Sequence, residues 1–241
     1  MTGLSRTHAS HLALPEAVGR RRFLAGLAAV SGALALPACT SLGGGFSFTD
    51  AIARLLFLSS DRAFNRMLRS DGFWDQQVAQ LGLGGFLGGR GDVLSRILTS
   101  PLFKSRLDRE FAGFAYEGAQ RAAPVVADTI RLVGYQNAID LVRGGPSAAT
   151  AFLRGEMGGR LIDVMVPEIG QAMRVASDPL VGEALGALTG VDLPGAARRV
   201  SGSVDDIIWR EIAAEEAAIR ANPGAVGDPL IAAVFGPARA F

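Results

Sequence analysis

Beyond residue 47, apolar residues recur at every third or fourth position in one segment after another, and no stretch of useful length alternates apolar with polar. Side chains three and four apart share one side of an α-helix, whereas a half-buried strand repeats every second residue. The chain is therefore read as all-α, a single compact domain of about eight to eleven helices. With 49% of its residues hydrophobic, it has ample material for one core at a length of about 200 residues.

Glycine and proline divide this pattern into elements. Ile52, Leu55, Leu56, Ala63 and Met67 define a first helix from about Asp50 to Arg69, closed by Asp71-Gly72. Ser100-Pro101 opens another, a capping residue followed by proline at the first helical position. Phe103, Leu107, Phe111, Phe114, Ala115 and Gly118 form its stripe. Pro124 is expected to begin or bend the helix that carries Val126, Ile130 and Val133. After a break at Gly134-Tyr135, a shorter helix runs to Arg143, where Gly144-Gly145-Pro146 joins a helix stop directly to a helix start. The pattern resumes from Ala149. Ile162, Val166, Ile169 and Met173 make a stripe interrupted by Pro167, which predicts a kink or two abutting helices. Ser203 with Asp206 three residues on reads as a capping box. It would head a helix that carries Val204, Ile207, Ile208, Ile212 and Ile219 and ends near Asn222-Pro223-Gly224. A last short helix is expected from about Pro229 to Phe235.

Ahead of this domain stands an export leader. Arg20 and Arg21, with Arg22, precede Phe23 and Leu24 in the arrangement read by the twin-arginine exporter, with Gly19 where serine or threonine is usual. The apolar run from Phe23 to Pro37 spans 15 residues and is diluted by Gly26, Ser31 and Gly32, whereas a spanning helix needs about 20. Small Ala38 before Cys39, with Leu36 three residues ahead of the cysteine, fits a lipoprotein signal peptidase, which cuts after Ala38 once the thiol is acylated; Pro37 is a less usual residue in that box. The expected organisation is a signal peptide at 1–38, a lipidated tether at 39–46 and a helical domain at 47–241. Acyl chains contribute about 0.8 kcal/mol per buried methylene, so two or three on Cys39 would hold the protein on a membrane. Thr40 stands where aspartate would mark inner-membrane retention. The expected address is thus the periplasmic side of the cell envelope, at the outer membrane.

Removing residues 1–38 takes away four arginines, one glutamate and both histidines, leaving 203 residues with 20 basic and 22 acidic groups, a net charge of −2. Without histidine, and with its single cysteine committed to the anchor, that chain cannot build a Ser-His-Asp or Cys-His site, a zinc finger, a His-ligated haem or a Cys-ligated cluster. Its interspersed charges lack the basic footprint of nucleic-acid binders. The expectation is no catalytic residue, no cofactor, no metal and no nucleic-acid partner.

Several features invite a site reading. Gly82, Gly84, Gly85, Gly88, Gly89 and Gly91 form a glycine-rich run whose spacing matches neither GxGxxG nor a P-loop, so it reads as a loop. Glu110 and Glu117 share a helical face, but each has an arginine in helical reach, Arg106 or Arg109 for the first and Arg121 for the second, which favours ion pairs over acid and base work. Glu216 and Arg220 stand at i and i+4 in the favourable order near a helix end, a spacing that stabilises a helix by a few tenths of a kcal/mol. Arg121, Arg143 and Arg154 are candidates for an anionic head group or for carboxylates and helix-end carbonyls. Tyr116 and Tyr135 read as core rims.

Three blocks carry a resemblance. They are Tyr116-Glu117-Gly118-Ala119-Gln120-Arg121-Ala122-Ala123-Pro124, then Gly144-Gly145-Pro146-Ser147-Ala148-Ala149-Thr150-Ala151-Phe152-Leu153-Arg154, then Glu215-Glu216-Ala217-Ala218-Ile219-Arg220-Ala221-Asn222-Pro223 closing with Val234-Phe235-Gly236. In this order they resemble an uncharacterised family of exported bacterial proteins, domain of unknown function four-one-nine-seven, over roughly residues 47–236. The resemblance implies a helical domain behind a signal peptide and carries no activity or catalytic residue. Phe152 stands where the family usually has an aromatic residue, often tyrosine.

The expected role is an anchored helical interaction or structural module that binds another envelope protein. Two alternatives stand beside it. One is a carrier or sensor of a lipid or other small apolar ligand, because many Ala and Gly residues let helices separate around a cavity. The other is an enzyme built on carboxylates, which requires acidic groups converging without arginine partners.

Overall fold

In a computed structural model of the chain, residues 47–69, 71–81, 101–176, 178–179, 181 and 193–236 are described. All of them fall in the compact unit Gly44–Phe241. The expected leader and tether, Cys39 and the glycine-rich run lie outside the described residues. Eight α-helices and no strand are found among the described residues: α1 (Phe48–Met67), α2 (Phe73–Leu81), α3 (Pro101–Leu132), α4 (Ala138–Arg143), α5 (Ala148–Met157), α6 (Arg160–Arg174), α7 (Leu193–Ala221) and α8 (Pro229–Phe235), with a 3-10 turn at Pro223–Val226. The all-α expectation holds.

The ends of α1 follow from local chemistry. The Ser47 hydroxyl accepts from the Asp50 amide at 3.3 Å, and Asp50 in the first turn complements the positive end of the helix. Gly72, at φ 82°, supplies the left-handed turn after the helix. Its buried face is Ala51, Ile52, Leu55, Leu56, Ala63, Phe64 and Met67. Ser59 joins that face because its hydroxyl donates to the Leu55 carbonyl at 2.7 Å.

The core lies among α1, α3, α6 and α7. Helices α3 and α6 run antiparallel, with Arg121 reaching Glu168 and Arg106 reaching Asp178 just past the end of α6. Gly118 sets their approach, since a β-carbon there would stand 3.0 Å from Ile169 Cδ1. Helix α7 packs against α1, α3, α5 and α6 and buries Val204, Ile207, Ile208, Trp209, Ile212 and Ile219.

Four expectations about helix boundaries and faces need correction. Of the alternatives at Pro124, a helix start is excluded, because α3 runs for 32 residues through it. At Pro167 two abutting helices are likewise excluded, because the proline sits inside a single α6. The reason is the same in both cases. Each proline is exposed, as is the residue four positions earlier, Gln120 or Asp163, whose carbonyl loses its helical donor on the solvent side. The stripe of α6 is also shifted: Leu161, Met165, Ile169, Gly170 and Met173 are buried, whereas Ile162 and Val166 are only partly so. Finally, Ser203 does not cap a helix. α7 begins ten residues earlier, at Leu193-Pro194, and the Ser203 hydroxyl donates back to the Arg199 carbonyl at 3.3 Å inside it.

Candidate functional site

The joint between α4 and α5 brings two helix ends together at a buried ion pair. Helix α4 stops at Arg143 and α5 starts at Ala148, so Gly144-Gly145-Pro146-Ser147 must leave both the last carbonyls of one helix and the first amides of the next without helical partners. Gly144 is required at the stop, because a β-carbon there would lie 2.5 Å from that of Ala148. Ser147, at the head of α5, makes no capping bond with its own side chain.

The missing partners come from α7. Glu216 is fully buried. Its Oε1 accepts from the Ala149 amide at 3.1 Å and from Arg220 Nε at 2.7 Å. Its Oε2 accepts from the Thr150 amide at 2.7 Å and the Thr150 hydroxyl at 2.6 Å. Arg220 in turn donates from Nη1 to the Val142 carbonyl at 3.0 Å and from Nη2 to the Leu141 carbonyl at 2.8 Å. Its guanidinium lies 4.8 Å from the centre of the Phe235 ring, a cation–π contact. The anion therefore sits on the positive end of α5 and the cation on the negative end of α4, the arrangement that both helix dipoles favour.

This is a different role from the solvated helix pair that the i, i+4 spacing suggests. With four donors around it, the Glu216 carboxylate has its acceptor capacity filled. It is a structural clamp and has no lone pair left for a substrate proton.

A second node ties the same two helices. Arg154 on α5 donates to Asp205 at 3.0 Å and also to Asp206, and Asp205 further accepts from Trp209 Nε1 at 2.9 Å. Burial pushes the Asp205 carboxyl above its ordinary pKa, against the pull of Arg154 and Trp209. Arg66 of α1 meets Glu211 at 2.8 Å and Glu215 at 3.0 Å. Five acidic groups along α7 are thus held by three arginines.

The remaining expected residues scatter. Arg121 pairs with Glu168 at 2.7 Å instead of Glu117, which is exposed. Arg106 pairs with Asp178 at 3.1 Å, and Glu110 accepts from the Asp178 amide at 3.2 Å. Arg121, Arg143 and Arg154 therefore serve three different neighbourhoods and do not form one anion site. Tyr135 is buried, donates its hydroxyl to the Ile130 carbonyl at 2.8 Å and packs its ring against Phe152 at 6.0 Å. It closes the carboxyl end of α3.

Beside the clamp opens a groove of about 600 Å³, lined by Val142 to Pro146, Ala217, Arg220, Ala221 and Val234 to Gly236. Its walls are the helix ends that Glu216 and Arg220 hold, together with α8. Among the described residues that line it, two are arginines and none is acidic. An interior pocket lined by Val78, Phe111, Ala115 and Val204 among others has only about 10 Å³. Among the described residues, no group of three or more acidic, histidine or cysteine side chains is placed to hold a metal ion. No helix there is long and apolar enough to cross a membrane.

Fold and site together define an all-α domain whose polar interior is an ion-paired framework, with an open groove against it. The chain belongs to the family described as protein of unknown function (DUF4197), whose model matches residues 45–236 and so takes in all eight helices. No curated protein and no solved structure matches it. Two of the three blocks that carry the family resemblance, 144–154 and 215–223 with 234–236, meet at the clamp and the groove, while 116–124 lies on α3.

Proposed function

We propose that the protein is a lipid-anchored module of the cell envelope, exported through the twin-arginine route, acylated at Cys39 and held on the periplasmic side at the outer membrane. It acts by binding another envelope protein. The leader and the Leu36-Pro37-Ala38-Cys39 box support the address. The observation that carries the binding role is the groove, a concavity of about 600 Å³ whose walls are fixed by the buried Glu216–Arg220 pair. Pinned walls lower the ordering cost of association. The commitment of the α7 carboxylates to arginines favours this reading over carboxylate catalysis, because a general acid or base needs a group free to exchange a proton.

Two measurements test the proposal. Labelled palmitate should enter the wild-type protein and not a Cys39→Ser variant, and the label should fractionate with the outer membrane. Cross-linking in intact cells followed by purification should recover the same envelope protein repeatedly. A soluble, unacylated product, or the absence of any specific partner, would contradict it.

A further inference from the structure

We infer that the groove receives an extended segment of the partner polypeptide ending in a free carboxylate, with Arg143 as its counter-ion. This rests on the interaction reading above and names the chemistry of the partner.

Charge is the first argument. Arg220 already has Glu216 and two carbonyls on its guanidinium, so its charge is matched within the protein. Arg143 lines the same groove, is exposed, and makes no ion pair among the described residues. With no acidic side chain among the described lining residues, the groove complements an anion, and a guanidinium suits a carboxylate through two parallel hydrogen bonds.

The main chain is the second argument. The amide of Gly145 donates to no backbone carbonyl of the described residues. A terminal carboxylate brings two acceptor oxygens, one for that amide and the other for a guanidinium, a recurring mode of carboxyl-terminus capture. An acyl chain has nothing to offer that amide. Val142, Pro146, Ala217, Val234 and Phe235 supply the apolar wall on which the preceding side chains of the segment rest, and the volume lies within the usual range of about 300–1,000 Å³ for ligand sites.

The test uses the processed, lipidated protein in detergent and a fluorescein-labelled hexapeptide of alanine, leucine and valine with a free carboxyl end. Fluorescence polarisation should show binding that weakens about tenfold when the peptide is amidated, and by a similar factor in Arg143→Ala, as expected for one charge-assisted contact. Arg143→Lys should fall between. Ala217→Trp, which fills the groove and leaves its charge unchanged, should abolish binding. Equal affinity for acid and amide, no effect of Arg143→Ala, no peptide binding, or binding only to phosphatidylglycerol vesicles would each overturn the inference. A photo-cross-linker at exposed Gln120 that captures an envelope protein, while one at Ala217 captures none, would refute this inference and leave the interaction reading standing. Capture at neither position would count against both.

Discussion

Glu216 and Arg220 stand one turn apart on α7 yet grip opposite helix ends, the carboxylate holding the first amides of α5 and the guanidinium holding the last carbonyls of α4. Breaking a buried pair by removing one partner leaves an uncompensated charge and costs about 3–5 kcal/mol. Glu216→Gln and Arg220→Met should each lower the unfolding free energy by that order, read as a lower urea midpoint. The double variant should lose less than the sum, by about 0.5–3 kcal/mol. Purely additive losses would mean that the two side chains do not act as a unit.

Asp228 caps α8. It accepts from the amides of Leu230 at 3.0 Å and Ile231 at 3.1 Å and from Arg54 Nε at 2.7 Å. Burial alone would raise its pKa, but these donors outweigh that and hold it below the usual carboxylate range. Its charged form is thus favoured by folding, so its contribution is complete above an unfolded carboxylate value of about 3.9 and fades as pH falls through the lower folded value. Asp228→Ala should cost about 1–2 kcal/mol at pH 7 through loss of the cap, with little from half-exposed Arg54. The gap between variant and wild type should narrow below about pH 4. A gap that widens on acidification would contradict the assignment.

Gly118 lets α3 approach α6, with Ile169 Cδ1 only 3.0 Å and Met165 Sδ 3.5 Å from the place of a β-carbon. Gly118→Val should overpack the contact and destabilise the domain by about 1–3 kcal/mol, read as a lower Tm. Shortening the neighbour with Ile169→Ala in the same chain should return part of that loss. Unchanged stability in Gly118→Val would show that the two helices stand farther apart.

Pro124 sits on the solvent face of α3 and removes one helical hydrogen bond. Pro124→Ala should therefore raise stability by about 1–3 kcal/mol, the interior proline penalty reduced by the extra freedom of the unfolded chain. A fall in Tm would mean that the ring is needed where it stands.

The helices themselves were legible because their apolar periodicity is local. Phe103 to Gly118 and Ile52 to Met67 face the core as their spacing requires. At two positions the break does not occur, for one reason. Pro124 and Pro167 each cost a helix one hydrogen bond, but the orphaned carbonyls face solvent while the turns on either side pack on the core, and exposure is a tertiary property. Ser203 failed as a cap because α7 already runs through it from Leu193, ten residues earlier. The clamp was half legible. The stop and start at Gly144-Gly145-Pro146 and the i, i+4 spacing of Glu216 and Arg220 each stand in the sequence. What joins them is a contact across 66 residues, between Thr150 and Glu216, which no local pattern encodes. The groove follows from that same contact.

Amide hydrogen exchange at Ala149 and Thr150 tests the clamp most directly. First-turn amides normally lack partners and exchange fast. In the wild-type protein these two should exchange as slowly as the core of α7, and Glu216→Ala should release both while the midsection of α3 stays protected. Rapid exchange at Ala149 and Thr150 in the unaltered protein would contradict the clamp, and with it the account of the groove.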